Sequence, residues 1–258
     1  MSILFSKPPI NEVAIGKSFE HPEGFYVPYY GKFWELVEDD FPICKEAPRI
    51  VDDPLLVSPE SLTAITPRTW FLNNDETRLI QLQSDRFFYN WRQTGKGEEY
   101  HRFANIYDEY RKYSGLLPAF FESQFNKPLV TKQCHLTYVN LFRKGRDWNE
   151  LSEISGLFRH ICFPDEIENG KFKQSQLKLE YDMGDNEGKI VVSIATSARV
   201  TTESEIATRM EIAASSSLGI GDAAAEQDWF EKAHVAIIKG FCDLTSEEAQ
   251  KNLWGRIE

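Results

Sequence analysis

Between Pro67 and Gln93 the segment PRTWFLNNDETRLIQLQSDRFFYNWRQ alternates so regularly, with two turn signals so close together, that it can fold into little other than an antiparallel meander. Asn73-Asn74-Asp75 supplies small polar side chains that close their own backbone turns and tolerate positive φ. Ser84-Asp85 leaves two residues for the second connection. Strands are therefore expected around Trp70 and Leu72, over Arg78–Gln83 and over Arg86–Arg92. Successive side chains of a strand point to opposite faces, so Phe87, Tyr89 and Trp91 share one face and Phe88, Asn90 and Arg92 the other. Antiparallel sheets commonly bury one face and wet the other. The aromatic face is expected in the core, with Arg78, Arg86 and Arg92 over the solvent side.

The flanking chain reads in the same way. Val13, Ile15 and Phe19 alternate within a first strand over Asn11–Phe19, and Phe33, Trp34, Val37 and Phe41 recur at helical spacing until Pro42. Prolines at 42, 48, 54, 59 and 67 make Ile43–Pro67 a loop, with one edge segment at Leu55–Val57. Thr94-Gly95-Lys96-Gly97 reads as a turn. Tyr100, Phe103, Tyr107 and Tyr110 form the buried stripe of a helix that Gly115 and Pro118 interrupt and Phe120, Phe121 and Phe125 resume. In the second half, Gln133–Phe142 alternates as a strand, and Trp148–Ile161 carries Leu151, Ile154, Leu157, Phe158 and Ile161 as a short helix ended by Pro164. Strands follow at Gln176–Asp182, Lys189–Ala195 and Glu205–Ala214, then a loop over Ser215–Ala225. The helix Gln227–Phe241 has Asp228 near its positive end. Both halves thus read strand, helix, strand, strand, strand, helix. The expected fold is α+β, a duplicated unit with halves at 1–126 and 127–258 and antiparallel sheet or sheets covered by helices. Two sheets of about four strands or one of about eight would satisfy the pattern. The short connection Asn126–Val130, without linker composition, favours one continuous sheet.

Composition bounds the function. With 41% hydrophobic and 13% aromatic residues the chain can build a large core. Lys and Arg number 29 against 40 Asp and Glu, a formal net charge of −11, which argues against a phosphate-neutralising surface and leaves only a local patch at Arg143, Lys144 and Arg146 for nucleic acid. No apolar run approaches the ~18 residues of a membrane span, and Met1–Lys7 is too short for a secretory signal. Cys44, Cys134, Cys162 and Cys242 lack any C-x-x-C pair and read as free buried thiols of a reducing, cytoplasmic compartment. The five histidines show no metal-ligand spacing, and no cofactor is expected. Asp182, Asp185 and Glu187 read as a solvated hairpin tip rather than a calcium loop. Gly219-Ile220-Gly221 lacks the third glycine of a phosphate-binding turn. Pairing Cys134 or Cys162 with His135 or His160 as nucleophile and base finds no support in the spacing.

Pro8-Pro9-Ile10-x-Glu12-Val13, Phe33-Trp34-x-x-Val37 ending in Phe41-Pro42, and above all Arg78-Leu79-Ile80-Gln81-Leu82-Gln83-x-Asp85-Arg86-Phe87-x-x-Asn90-Trp91-Arg92 together resemble a sporadically distributed family of uncharacterised bacterial and archaeal proteins of similar length. The resemblance continues through Leu136-Thr137-Tyr138-Val139-Asn140 and through Ala233-His234-x-x-Ile237-x-x-x-Phe241-x-x-Leu244-Thr245 with Trp254. It implies mobile, defence or toxin–antitoxin gene neighbourhoods, and it carries over no activity and no site residue. The leading expectation is a non-catalytic protein-binding or accessory protein, an antitoxin, immunity or defence component whose acidic surface meets a basic protein. Its contact surface is drawn from Arg78, Arg86, Tyr89, Asn90, Trp91, Arg92, Tyr138, Asn140 and Tyr181. A second reading is a small-ligand sensor or enzyme with a pocket lined by Tyr89, Trp91, Tyr138 and Tyr181. A third is nucleic-acid binding through Arg86, Arg92, Arg143 and Arg146. No catalytic or metal-ligating residue is assigned.

Overall fold

In the computed structural model, which describes residues 3–50, 67–94, 100–162, 166–168, 170–184, 186–199 and 206–257, the alternating segments become strands and the aromatic stripes helices. In chain order the elements are β1 (Leu4–Phe5), β2 (Ile10–Phe19), α1 (Pro28–Trp34), β3 (Ile43–Ala47), β4 (Arg68–Leu72), β5 (Arg78–Gln83), β6 (Arg86–Arg92), α2 (Arg102–Ser114) and α3 (Leu117–Phe125). There follow β7 (Thr131–Arg143), a 3-10 helix (Leu151–Leu157), β8 (Glu166–Ile167), β9 (Gly170–Lys171), β10 (Gln176–Asp182), β11 (Lys189–Arg199), β12 (Ile206–Ser215), α4 (Ala223–Leu244), α5 (Glu247–Asn252) and β13 (Arg256–Ile257). The fold is α+β. Among the described residues a nine-stranded antiparallel sheet has the order β10-β11-β12-β7-β2-β6-β5-β4-β3, and β1 with β13 and β8 with β9 form two-stranded pairs. The chain divides into two compact units, one of Ala14–His135 with Leu218–Ala223, the other of Met1–Val13, Leu136–Ser217 and Ala224–Glu258.

In the first of these units the β3–β6 meander has the register that alternation demands. Phe71 faces Ile80, Ile80 faces Tyr89, and Leu82 faces Phe87. That face is filled by aromatics of the three helices: Phe33 of α1 packs on Phe71, Phe87 and Phe120, and Tyr113 of α2 stacks on Tyr89 at 5.9 Å. Pro28 and Pro118 each stand in the first turn of a helix, where the missing N–H would have no partner anyway. Pro118 therefore begins α3 rather than merely interrupting α2, and Asn126 ends α3 in the left-handed region at φ 51°.

Several expectations change. Arg78 lies on the aromatic face, opposite Trp91, because β5 pairs in that register. Arg86 is 4% exposed, and Asn90, Gln81 and Gln83 are buried with it, so the second face of the meander is not a solvent face. It is a hydrogen-bonded polar layer. Gln81 accepts from Arg68 Nη1 at 2.8 Å and from Trp70 Nε1 at 3.1 Å and donates to Asn90 Oδ1 at 2.8 Å. Gln83 exchanges bonds with the backbone of Ile50 and donates to Asp85, which also pairs with Arg49 at 3.1 Å. Buried polar groups need such partners, and alternation alone does not distinguish a satisfied buried layer from a wet one. Ile43–Ala47, read as loop, is a strand paired to β4 at the edge of the sheet formed by the described residues. The Leu55–Val57 segment and the Gly95–Gly97 turn lie outside the described residues. The helix before Pro42 starts earlier than expected, at Pro28, and becomes successive turns after Trp34.

In the other unit β10, β11 and β12 form consecutive antiparallel hairpins, and α4 buries Trp229, Phe230, Ala233, Ile237 and Phe241. Phe142 stacks on Trp254 at 5.0 Å, and Phe241 approaches the same indole at 5.2 Å. The segment expected as a helix over Trp148–Ile161 is a 3-10 helix of seven residues. Leu151, Ile154 and Leu157 recur every three residues, the 3-10 period, and a Glu150–Glu153 capping box starts the element. Cys44 and Cys162 are exposed rather than buried, whereas Cys134 and Cys242 are buried, and none of the four is in a disulfide. No described helix is long and apolar enough to cross a membrane.

At Gly16 of β2 the neighbouring strand β6 comes too close for a side chain. A Cβ there would fall within contact distance of the Phe88 ring and the Phe87 carbonyl oxygen. Gly16→Ala is expected to destabilise the protein by roughly 1–3 kcal/mol through overpacking, read as a lower urea midpoint. Phe88→Leu in the same background should recover only part of the loss, because the backbone oxygen remains.

Candidate functional site

A cleft of the Ala14–His135 unit, about 410 Å³, opens where the β4–β5 turn meets the first turns of α2. The turn is closed by its own side chains. Asn73 N donates to Arg78 O at 3.2 Å, and Arg78 N returns a bond to Asn73 Oδ1 at 3.0 Å. Asp75 Oδ1 accepts from the Thr77 hydroxyl at 2.6 Å and from Thr77 N at 3.1 Å, while Asn73 Nδ2 donates to Thr77 Oγ1. Asn, Asp and Thr are the residues that make such local side-chain to backbone bonds, and Glu76 between them takes φ 60°. On the other side of the cleft α2 offers Asn105, Asp108 and Glu109 from its polar stripe, behind the buried Ile106, Tyr107, Tyr110 and Tyr113. Tyr89 and Trp91 of β6 form its floor, with His101 at the rim.

The electrostatics are one-sided. Asp75, Asp108 and Glu109 line the cleft with Arg78, whose Nη1 lies 3.6 Å from Glu109 Oε2. An adjoining cleft of about 390 Å³ shares Asn73, Asp75 and Arg78 and adds Asp39 and Asp40. The Thr77 hydroxyl holds the Asp75 carboxyl below the usual carboxylate range, and Lys112 and Tyr113 do the same for Asp40. Lys112 Nζ donates to Asp40 Oδ2 at 3.0 Å and the Tyr113 hydroxyl to the same oxygen at 2.8 Å. Burial, then the neighbouring Glu109 charge, raises the Tyr89 phenol, which stays protonated at neutral pH. Among the described residues the Trp91 indole N–H has no hydrogen-bond partner, and Trp91 is 1% exposed. Among the described residues no group of three or more His, Cys, Asp and Glu is gathered as a metal ion requires.

The residues expected as a contact surface fall in four places. Arg78, Tyr89 and Trp91 line the cleft. Arg86, Asn90 and Arg92 belong to the opposite face of the meander, where Arg92 Nη2 donates to Glu76 O at 3.0 Å and its guanidinium lies over the Trp70 ring. In the other unit, Tyr138 and Asn140 border a cavity of about 20 Å³, room for about one water. Asn140 Nδ2 reaches Met210 O at 3.5 Å. Tyr181 is 44% exposed on β10, at the sheet edge. Asp75, Asn105, Asp108 and Glu109 were passed over, because acidic residues of turns and helix flanks look like ordinary solvated surface. The available signal was Asn105, Asp108 and Glu109 at i, i+3 and i+4, one patch of helix surface.

Other sequence features are absorbed structurally. Glu187 of the β10–β11 turn pairs with Lys232 of α4 at 2.7 Å and accepts the Trp229 indole N–H at its carbonyl. Gly219 packs on the Thr131 carbonyl with no room for a Cβ. His135 lies 3.2 Å from the Ser18 hydroxyl and beside the Phe88 ring.

No family model, curated protein or solved structure matches the chain.

His234 Nδ1 lies 2.8 Å from the Tyr138 hydroxyl, and burial pushes the imidazole down to about 4 from an ordinary 6.5. Between these values the unfolded chain binds the proton and the folded one does not, so the stability is complete above pH 6.5 and is lost as pH falls toward 4. The loss is on the order of 3 kcal/mol. Urea midpoints measured from pH 7.5 to 4.5 should fall more steeply for the wild type than for His234→Gln, which lacks the titrating ring. Parallel curves would refute this.

Proposed function

We propose that this chain is a non-catalytic protein-binding or accessory module whose acidic cleft in the Ala14–His135 unit receives a basic segment of a partner protein. The observation that carries this reading is the charge of the cleft pair: among the described lining residues Asp39, Asp40, Asp75, Asp108 and Glu109 outnumber the guanidinium of Arg78, with the Lys112 ammonium on Asp40 beside them. A rim of one sign over an aromatic floor suits a partner of the opposite sign, since complementary charge steers encounter and excludes wrong partners. The net charge of −11 extends the same field over the surface. The resemblance to a sporadically distributed family makes an antitoxin, immunity or defence component the class of system in which we place it. A small-ligand sensor is the second reading, favoured by the cleft's volume and by Tyr89 and Trp91 in its wall. The arginines that a nucleic-acid reading would use are bonded within the chain: Arg86 is buried, Arg143 donates to Asn11 at 3.1 Å, and Arg146, half exposed, pairs with Asp147 at 2.8 Å.

We also infer that the two halves derive from one repeated unit. Support comes from element order, with β2, α1, β4, β5, β6, α2 matched by β7, the 3-10 helix, β10, β11, β12 and α4, and from the two antiparallel three-strand meanders at equivalent positions.

Tagged protein co-expressed with the products of its neighbouring genes should retain a basic one, and rising salt should release it. Replacing the exposed Asp39 and Asp108 together by Asn should weaken retention by roughly five-fold. Retention indifferent to both salt and these substitutions would contradict the reading, as would turnover abolished by one polar substitution.

A further inference from the structure

Among the described residues β10 ends the nine-stranded sheet, with β11 on one side and no strand on the other. Which of its backbone groups face outward follows from the hairpin register. Met183 N donates to Gly188 O at 2.9 Å and Thr196 N to Ser175 O at 3.1 Å, so the pairs bonded to β11 fall at odd-numbered residues. The N–H and C=O groups of Gln176, Lys178, Glu180 and Asp182 therefore point away from β11, and these four residues are exposed. Leu177, Leu179 and Tyr181 stand on the other face, beside Ile194, Val192 and Ile190 of β11. Val192 and Ile194 are buried, Leu177 and Leu179 half-buried and Tyr181 44% exposed, so the apolar face continues to the edge and loses its cover there. Of the devices that blunt a sheet edge, β10 has no proline, no bulge and no charge on its apolar face. Its charges, Lys178, Glu180 and Asp182, are on the other face, and their order selects a partner.

A second β10 laid antiparallel along this edge meets them in complementary order. With Leu179 on the two-fold axis, Lys178 of each copy stands opposite Glu180 of the other, and Gln176 opposite Asp182. These become the bonded pairs of the new ladder. Between them Leu179 meets Leu179 and Leu177 meets Tyr181, at the closer spacing of non-bonded pairs. All seven residues of β10 are used. Centring the axis on Lys178 would instead oppose two ammoniums, and centring it on Glu180 two carboxylates. An isologous contact of this kind fixes its own register. Glu180 already pairs with Lys189 of β11 at 3.2 Å, and Lys178 has no ion pair among the described residues.

We propose that the chain pairs with a second copy of itself along this edge, β10 against β10 in antiparallel register about a two-fold axis at Leu179. The contact is one strand edge, small beside the interfaces of permanent dimers, so the dimer is concentration-dependent.

Sedimentation velocity of the full chain at physiological salt, from micromolar to submillimolar concentration, should show a monomer passing into a dimer. Lys178→Glu and Glu180→Lys should each raise the dissociation constant by roughly ten-fold, because each sets two like-charge pairs across the axis. Both side chains are exposed, so neither reversal touches the core. An equimolar mixture of the two variants should dimerise again, since the acidic edge of one then meets the basic edge of the other. Register is read by oxidative cross-linking in a Cys44→Ser, Cys162→Ser background, which removes the exposed thiols. There Leu179→Cys should link to a second copy and Glu180→Cys should not. A chain that stays monomeric throughout would overturn the proposal, as would a dimer indifferent to both charge reversals or a variant mixture that stays monomeric. Cross-linking of Glu180→Cys without cross-linking of Leu179→Cys would overturn the axis at Leu179.

Discussion

The hydrogen bonds that close the Asn73–Arg78 turn decide where β5 begins, and the face of every side chain in the meander follows from that. Asn73 and Arg78 bond to each other through backbone and side chain, and Asp75 and Thr77 lock the intervening residues. A slip of one residue would reverse every side chain of β5. Arg78 would then leave the cleft for the polar layer, Gln81 would enter the aromatic core, and the Gln81–Asn90 bond would be lost. The same turn supplies Asn73, Asp75 and Thr77 to the cleft wall. Register and recognition surface are thus set by one short stretch of local hydrogen bonding.

The meander is buried on both sides, and the two sides are built by different physics. One is aromatic packing against three helices, in which tilted and edge-on rings fill space. The other is a chain of amide, carboxylate and guanidinium groups that hydrogen-bond to one another away from water. The Leu-Gln alternation of β5 is the trace of this division. Leu79 is apolar on the polar side, whereas Gln81 and Gln83 carry the bonds that Asn90, Arg68, Asp85 and the Ile50 backbone complete.

Much of this was legible in the sequence. The turn residues and the period of two placed β5 and β6 at their observed ends and β4 around Trp70 and Leu72, and the aromatic stripes placed α2, α3 and most of α4. Three things were not legible, each for a physical reason. Ile43–Ala47 is an edge strand with mixed exposure and no alternation to read. The spacing of Leu151, Ile154 and Leu157 by threes fits a 3-10 helix, but two hydrophobic steps of three also fit one face of an α-helix. Arg86 looked like a surface arginine because its burial depends on the residues around Gln83 and Asp85, some of them distant in sequence. The site was half legible. Arg78, Tyr89 and Trp91 were named for their place in the meander, but the carboxylates opposite them come from α2, and which face of a helix meets which end of a sheet is a tertiary fact that no local pattern carries.

The account's central claim is that the acidic cleft is where a basic partner binds. Backbone hydrogen exchange of the full chain, compared with and without the co-purified partner, tests it most directly. Added protection concentrated at Asn73–Arg78 and His101–Glu109, and absent from the same experiment at high salt, is the predicted result. Protection confined to another surface, such as the exposed β10 edge around Tyr181, with the cleft exchanging as before, would contradict the account.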